Sequence, residues 1–511
     1  MPDREFGLVT GLVRDRARSA PDSIAFIQGG RSLSYAALDA LADRVAAALQ
    51  RDGVPAGEAV AICAATSIEY AAAWFGILRA GAVVAPLPPS STAESLAQMT
   101  ADCGARLLLL DAGTAALLAP VRDRMRARIV ALDGSDAGER LEAWLAAEGT
   151  APEPVEIAPD APFNIIYSSG TTGSPKGIVQ PHSMRWRHVQ RGVNIGYGPG
   201  SVTLVSTPLY SNTTLVSFIA TVALGGTCVL MAKFDAGEFL RLAQAHRATH
   251  AMLVPVQYQR LMDRPDFDRY DLTGFVTRSC TSAPFSAALK AQVLARWPGA
   301  LVEYYGMTEG GGTCVLHAHL HPDKLHTVGR PAPGHDIRLV GEDGREVAPG
   351  GIGEVVGRSD AMMLGYHNRP DLTAAAWWQD ADGRRYMRTG DIGGFDEDGF
   401  LVLMDRRKDM IISGGFNIYP SDIEAVLAAH PAVRDAAVVG VPSRRWGETP
   451  VAFVAVRDPG IDPAALREWT NARLGRTQRL ADVVALGELP RNAIGKILKR
   501  ELRDAYRGDA P

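Results

Sequence analysis

Ile165-Ile166-Tyr167-Ser168-Ser169-Gly170-Thr171-Thr172-Gly173-Ser174-Pro175-Lys176-Gly177 is an apolar run feeding a loop of glycines and hydroxyls that closes on one lysine. The triplet Ile165 to Tyr167 predicts a buried strand. After it, glycines let the backbone approach an anion, hydroxyl and N–H groups can donate to its oxygens, and Lys176 adds a point charge. The spacing does not fit GxxxxGK followed by Ser or Thr, because Lys176 lies three residues after Gly173 with Pro175 between. By composition alone the stretch could equally be a flexible surface loop, so its meaning rests on what surrounds it.

Upstream, helix and strand patterns alternate. Ser34 to Leu49 carries apolar residues at helical spacing, Ala59 to Cys63 reads as a buried strand, Ile68 to Leu78 as a helix, and Gly81 to Leu87 and Leu107 to Leu110 as strands. Thr203 to Ser206, Thr227 to Met231 and Ala251 to Val254 continue the rhythm downstream. This is the βαβ pattern of an α/β fold with parallel-rich sheets packed by helices. After about Gly334 the pattern changes: Ile337 to Val340 and Gly353 to Val356 read as antiparallel strands with Gly-rich turns, part of a distorted β-barrel. A charged stretch, Met404 to Asp409, then separates two apolar runs, and a compact α+β unit follows from Ile423. We place a large N-terminal domain at 1–405, a small mobile C-terminal domain at 406–511, and a hinge at 406–408.

A chain of 511 residues exceeds one ordinary core, and 47% hydrophobic with 22% charged residues is globular composition. The net charge of -4 draws the chain to neither nucleic acid nor an anionic membrane, so an anion site must be local. Cys63, Cys103, Cys228, Cys280 and Cys314 are scattered, without a CxxC pair, and read as reduced structural thiols. The N-terminal segment has no signal-peptide core, and no run reaches the roughly 18 apolar residues of a membrane span. These features point to the cytoplasm without integral membrane association, as a monomer or a homodimer.

Four further segments carry chemistry. Tyr304-Tyr305-Gly306-Met307-Thr308-Glu309 ends a strand with an aromatic that can stack a purine and a carboxylate that can hold magnesium, although Tyr305 could be core and Glu309 a helix cap. Asp391, in Tyr386 to Asp391, can accept ribose hydroxyls, and Arg406, in Asp405 to Asp409, can clamp sugar or phosphate; a charged turn is the alternative. Leu489 to Lys499 holds Lys496 in what could otherwise be a basic surface loop.

Taken in order, these segments resemble the signatures of the adenylate-forming superfamily, which includes acyl-CoA and aryl-CoA synthetases, nonribosomal adenylation domains and beetle luciferases. The resemblance runs from about Ser34 to Leu502. It implies that the Ser168 to Lys176 loop (Ser168, Ser169, Gly170, Thr171, Thr172, Gly173, Lys176) grips the β- and γ-phosphates of ATP. It assigns Tyr305 and Gly306 to adenine, with Ser282 and Ala283 as the adenine wall, Thr308 to the α-phosphate, Glu309 to Mg²⁺, Asp391 and Arg406 to the ribose, and Lys408 to the hinge. Lys496 would neutralise both the attacking carboxylate and the α-phosphate. After rotation, Ser413, Gly414 and Gly415 would take its place beside a pantetheine arm, with Trp446 and Arg479 near the coenzyme A nucleotide. The implied activity is ATP-dependent activation of a carboxylic acid and transfer to coenzyme A.

The acyl pocket departs from the pattern. Where most acyl-CoA synthetases place a histidine or bulky aromatic after Tyr210, this chain has Ser211 and Asn212. Asn212 in place of the usual aspartate argues against an α-amino acid. Gly310 and Gly311, with Gly312, either open the pocket wall or form a tight turn. An aryl, arylalkenoic or medium-to-long acyl acid is expected. Two other readings are a ligase loading a carrier-protein phosphopantetheine and a catalytically silent nucleotide-binding regulator; intact Lys496, Glu309 and Asp391 weigh against the latter.

Overall fold

The computed structural model describes residues 5–168, 175–406, 409–413, 416–443, 446–457, 460–475, 478–492 and 495–507. The chain divides into two units: Met1–His326, Pro331–Asp336 and Arg358–Met387 in one; Thr327–Arg330, Ile337–Gly357 and Arg388–Pro511 in the other.

Two large sheets build the first unit. One orders the strands Cys314–His317, Ala300–Tyr305, Thr277–Cys280, His250–Leu253, Val202–Val205, Thr227–Leu230, Ile24–Gln28 and Arg31–Ser34. Its central pairs are parallel and its flanking pairs antiparallel. The other orders Gly365–Tyr366, Lys176–Pro181, Pro162–Ser168, Val83–Pro86, Ala59–Cys63, Leu107–Leu110, Arg128–Ala131 and Glu139–Arg140. The strands read from the sequence form within one to three residues of their expected ends, the strand expected from Ile165 starting at Pro162, and the α/β, parallel-rich class is observed.

Helix starts follow the capping chemistry of the sequence. Ser34 accepts from the Ala37 amide ahead of Tyr35–Arg51, and Ser67 from the Tyr70 amide ahead of Ile68–Arg79. Ile68–Arg79 is apolar on all sides and buries every residue but Glu69, as a helix clad by other elements must. Its Trp74, Phe75 and Ile77 belong to one core cluster with Phe26 and Leu230 of the first sheet and Val60, Ile62 and Val84 of the second. Burying each such large side chain contributes about 1.5–3 kcal/mol.

In the second unit, a sheet of Ile411–Ser413, Phe416–Ile418, Val433–Ser443, Gly447–Val456 and Asp482–Leu486 is covered on both faces. Alternation along Gly447–Val456 decides the faces: Ala452 and Val454 join one core, Val451, Phe453 and Ala455 the other. Further strands of this unit, Ile352–Arg358, Leu401–Arg406 and the later residues of Arg385–Phe395, form the antiparallel-rich region expected after Gly334. The hinge expected at 406–408 falls largely outside the described residues. Among the described residues no helix is long and apolar enough to cross a membrane.

Candidate active site

Ser168 and Lys176 face each other where Pro162–Ser168 and Lys176–Pro181 pair antiparallel, so the two strands converge on the glycine loop. Ser169, Gly170, Thr171, Thr172 and Gly173 lie outside the described residues. On its far edge the Lys176 strand pairs with Gly365–Tyr366. Lys176 Nζ stands 5.4 Å from the centroid of the Tyr366 ring. The Tyr366 hydroxyl donates to Glu309 Oε1 at 2.9 Å. Burial, reinforced by the Glu309 charge, raises the phenol well above its ordinary pKa and keeps it a donor. Lys176, which closes the phosphate loop, and the Glu309 carboxylate thus meet on one ring.

The turn after Ala300–Tyr305 carries Gly306, Met307, Thr308 and Glu309 and is held by the segment after Arg358. Met363 N donates to the Glu309 carbonyl at 2.8 Å and Gly311 N to the Ala361 carbonyl at 3.2 Å. Gly310 and Gly311 have φ of 81° and 87°. A Cβ on Gly310 would sit 2.1 Å from the Ala361 oxygen. Backbone conformation and close approach therefore demand glycine at Gly310, which is the tight-turn alternative. Thr281 Oγ1 donates to the Tyr304 carbonyl at 2.8 Å, tying the Ser282-Ala283 segment to the strand that ends in Tyr305. Ser282 itself is strained at φ 80° and shares a hydrogen bond with Thr213. Thr213 lies in the first turn of Asn212–Ala223, directly after Tyr210 and the buried Ser211. The acyl-pocket and adenine-wall candidates are therefore neighbours.

A polar network behind the turn was not anticipated. Gln180 Nε2 donates to the Thr308 carbonyl at 2.5 Å and reaches Asn212 Oδ1 at 3.4 Å. Its Oε1 accepts from Asn164 Nδ2 at 2.9 Å and from Arg185. Arg185, fully buried, also donates to Asn164 Oδ1 from Nε at 3.1 Å and from Nη2 at 3.0 Å. Burial pushes its guanidinium down to about 9, still cationic at neutral pH. One signal was available: Gln180 shares the buried face of its strand with Ile178, where alternation asks for an apolar residue. Tyr366 had no such signal, because its role depends on a strand pairing distant in sequence.

The second unit gathers the remaining candidates by pairs. Asp391, 8% exposed, lies in register opposite Arg406. The Asp391 amide donates to Thr389 Oγ1 at 3.0 Å, which anchors on the Val355 carbonyl. Ser413 pairs with Gly447, next to the 45% exposed Trp446, whose amide donates to Ser443 Oγ at 3.2 Å. Arg479 is exposed on a loop of the same unit. Lys408, Gly414 and Gly415 lie outside the described residues. Lys496 sits in a tight turn closed by the Arg491–Ile497 bridge: its amide donates to Asn492 Oδ1 at 2.8 Å, and Gly495 takes a φ of 79°.

The AMP-binding enzyme family model matches residues 13–367, and the AMP-binding enzyme C-terminal domain matches residues 422–496. The chain belongs to the AMP-binding enzyme family. The resemblance read from the motifs is thereby confirmed. This AMP-binding enzyme is 34% identical to the fatty acid–[acyl-carrier-protein] ligase ScoC of Streptomyces coeruleorubidus, over 97% of this chain and 95% of that protein. It is 35% identical to a feruloyl-CoA synthase of Amycolatopsis sp, over 98% of this chain and 100% of that protein. Among solved structures it is similar to ATP-bound MatB from Rhodopseudomonas palustris, with a TM-score of 0.86 and 30% identity, covering 97% of this chain and 99% of that one.

Proposed function

We propose that this AMP-binding enzyme is an AMP-forming acid–thiol ligase that makes an acyl-CoA or aryl-CoA. In the first step a carboxylate oxygen of the acid attacks the α-phosphorus of ATP, a P–O bond forms, and the bond to pyrophosphate breaks. In the second the sulfur of coenzyme A attacks the acyl carbon, the thiol proton is lost, and AMP leaves. No protein nucleophile is required, so the chain's work is to position anions and to neutralise them.

The observation that carries the reading is the meeting of Lys176 and Glu309 on Tyr366. A cation from the phosphate loop and a carboxylate from the strand-end motif are brought to one point, as a metal–triphosphate requires. Among the described residues no group of three or more His, Cys, Asp or Glu could hold a metal ion. A lone Glu309 carboxylate suits Mg²⁺, whose remaining ligands would be phosphate oxygens and water. Bound there, Mg²⁺ would screen the triphosphate charge.

In this reading Ser168 to Lys176 hold the β- and γ-phosphates, Tyr305 stacks the adenine against Ser282 and Ala283, Thr308 meets the α-phosphate, and Asp391 with Arg406 hold the ribose. Lys496 serves adenylation. Rotation at Lys408, with the small domain beginning at 406, then brings Ser413, Gly414 and Gly415 into its place, with Trp446 and Arg479 toward the coenzyme A nucleotide. The five cysteines are all free and buried, in keeping with a cytoplasmic enzyme. A carrier-protein phosphopantetheine is the second acceptor to consider, because ScoC carries that acceptor in its name.

The test is direct. The pure protein is incubated with ATP, Mg²⁺, a panel of carboxylic acids, and either coenzyme A or a phosphopantetheinylated carrier protein, and thioester mass is read. Acid-dependent acyl-CoA supports the proposal. Thioester on the carrier alone moves the acceptor assignment, and no acid-dependent pyrophosphate release removes the function.

A further inference from the structure

Ala300–Tyr305 and Cys314–His317 pair antiparallel, with Tyr305 opposite Cys314 and Val302 opposite His317, and the turn that carries Glu309 closes this hairpin. At its open end the chain runs His317-Ala318-His319. Ala318 is fully buried and its amide donates to the Leu301 carbonyl at 3.0 Å, whereas His317 and His319 are both exposed. Alternation thus turns the two imidazoles to the same, solvent-facing side. Their ring centroids lie 5.9 Å apart, with 77° between the ring planes.

The same Leu301 carbonyl fixes the tautomer of His319. A carbonyl only accepts, so His319 Nδ1, at 3.2 Å, is the donor, and Nε2 of the neutral ring keeps its lone pair. An Nδ1–H held by a backbone carbonyl is the arrangement that orients an imidazole toward a metal at Nε2. Burial, with the charges of His319 and His321, lowers the pKa of His317, so its ring is neutral at pH 7. Each ring therefore offers an unprotonated nitrogen. An ion about 2.0–2.1 Å from both nitrogens in tetrahedral geometry sets the ring centroids about 5 Å apart. A small rotation of the exposed His317 side chain closes the remaining gap.

We propose that His317 and His319 form a bidentate site for a late first-row divalent cation, Cu²⁺ or Zn²⁺, at the open end of this hairpin. Imidazole selects such ions over Mg²⁺, so the site is separate from the Mg²⁺ expected at Glu309 and independent of the ligase reading. Two protein ligands are fewer than a structural metal centre takes, so the ion is exchangeable and completes its shell with water.

Untagged full-length protein is titrated with Cu²⁺ and with Zn²⁺ at about pH 7.5 by calorimetry, and the Cu²⁺ complex is read by electron paramagnetic resonance. The tightest equivalent of Cu²⁺ is expected to show nitrogen hyperfine coupling, to bind more tightly than Zn²⁺, and to resist excess Mg²⁺. His317→Asn and His319→Asn, both at exposed positions, each weaken that equivalent by about tenfold or more. His326→Asn, at an exposed histidine outside the pair, leaves it within about threefold of wild type. Unchanged affinity in either variant of the pair, displacement by Mg²⁺, an equal loss in His326→Asn, or Cu²⁺ without nitrogen coupling overturns the proposal.

Discussion

The hydroxyl of Tyr366 donates to Oε1 of Glu309 at 2.9 Å across 57 residues of sequence. The pairing of the Gly365–Tyr366 strand with the Lys176 strand makes this contact, so the strand register that fixes the phosphate hairpin also sets the carboxylate's orientation. Tyr366→Phe removes the donor and keeps the ring beneath Lys176. It is expected to lower kcat/KM for acid-dependent pyrophosphate release by about tenfold, the scale of one hydrogen bond to a charged group. Steady-state kinetics at saturating Mg²⁺ checks this; wild-type values would remove the orienting role.

Gly310 is the strictest glycine of the site. Gly310→Ala would place a methyl against the Ala361 carbonyl in a left-handed conformation. A loss of about 3 kcal/mol in urea unfolding is expected. Gly29, also at positive φ but with nothing within 4 Å of a Cβ, is the control, and Gly29→Ala is expected to cost about 1 kcal/mol. Equal costs would show that steric approach is not the deciding term.

Gln180 satisfies a buried guanidinium that also donates to Asn164, approaches His188 and lies over the Phe163 ring. Gln180→Leu leaves Arg185 short of an acceptor and the Thr308 carbonyl without its donor. Destabilisation of about 3 kcal/mol is expected, and addition of ATP should restore less of the melting temperature than in the wild type. Thermal melts with and without ATP report both effects.

Acid should weaken the first unit before its carboxylates titrate. Burial pushes His182 down to about 4, from an ordinary 6.5. Because the folded pKa lies below the unfolded one, its contribution is complete above pH 6.5 and is lost as pH falls toward 4. At pH 5.5 the unfolded imidazole holds a proton that the folded one lacks, so His182→Asn is expected to reduce proton uptake on unfolding by about one. The pH dependence of urea unfolding between pH 5 and 7 measures it; an unchanged slope would contradict the assignment.

Much of this was legible in the sequence because it is local. Strands such as Leu107–Leu110 and helices such as Tyr35–Arg51 follow from apolar period and a serine cap, and the two ends of the phosphate loop follow from one strand signal. The register of Asp391 opposite Arg406 was foreshadowed only as two separate charged turns. Tyr366, Gln180 and Arg185 were illegible as site residues, since their roles come from pairing between segments far apart in the chain. The glycine run was ambiguous for a similar reason: the carbonyl that forbids a side chain at Gly310 belongs to Ala361.

The central claim is that cationic and amide groups bring a carboxylate and a nucleotide together, with Lys496 serving only the first step. The measurement is Lys496→Ala assayed on the two half-reactions separately: acid-dependent pyrophosphate release from ATP, and thioester formation from supplied acyl-adenylate and coenzyme A. The account predicts that the first falls by at least about 100-fold while the second stays within about threefold of wild type. Parallel loss of both, or retention of both, would contradict it.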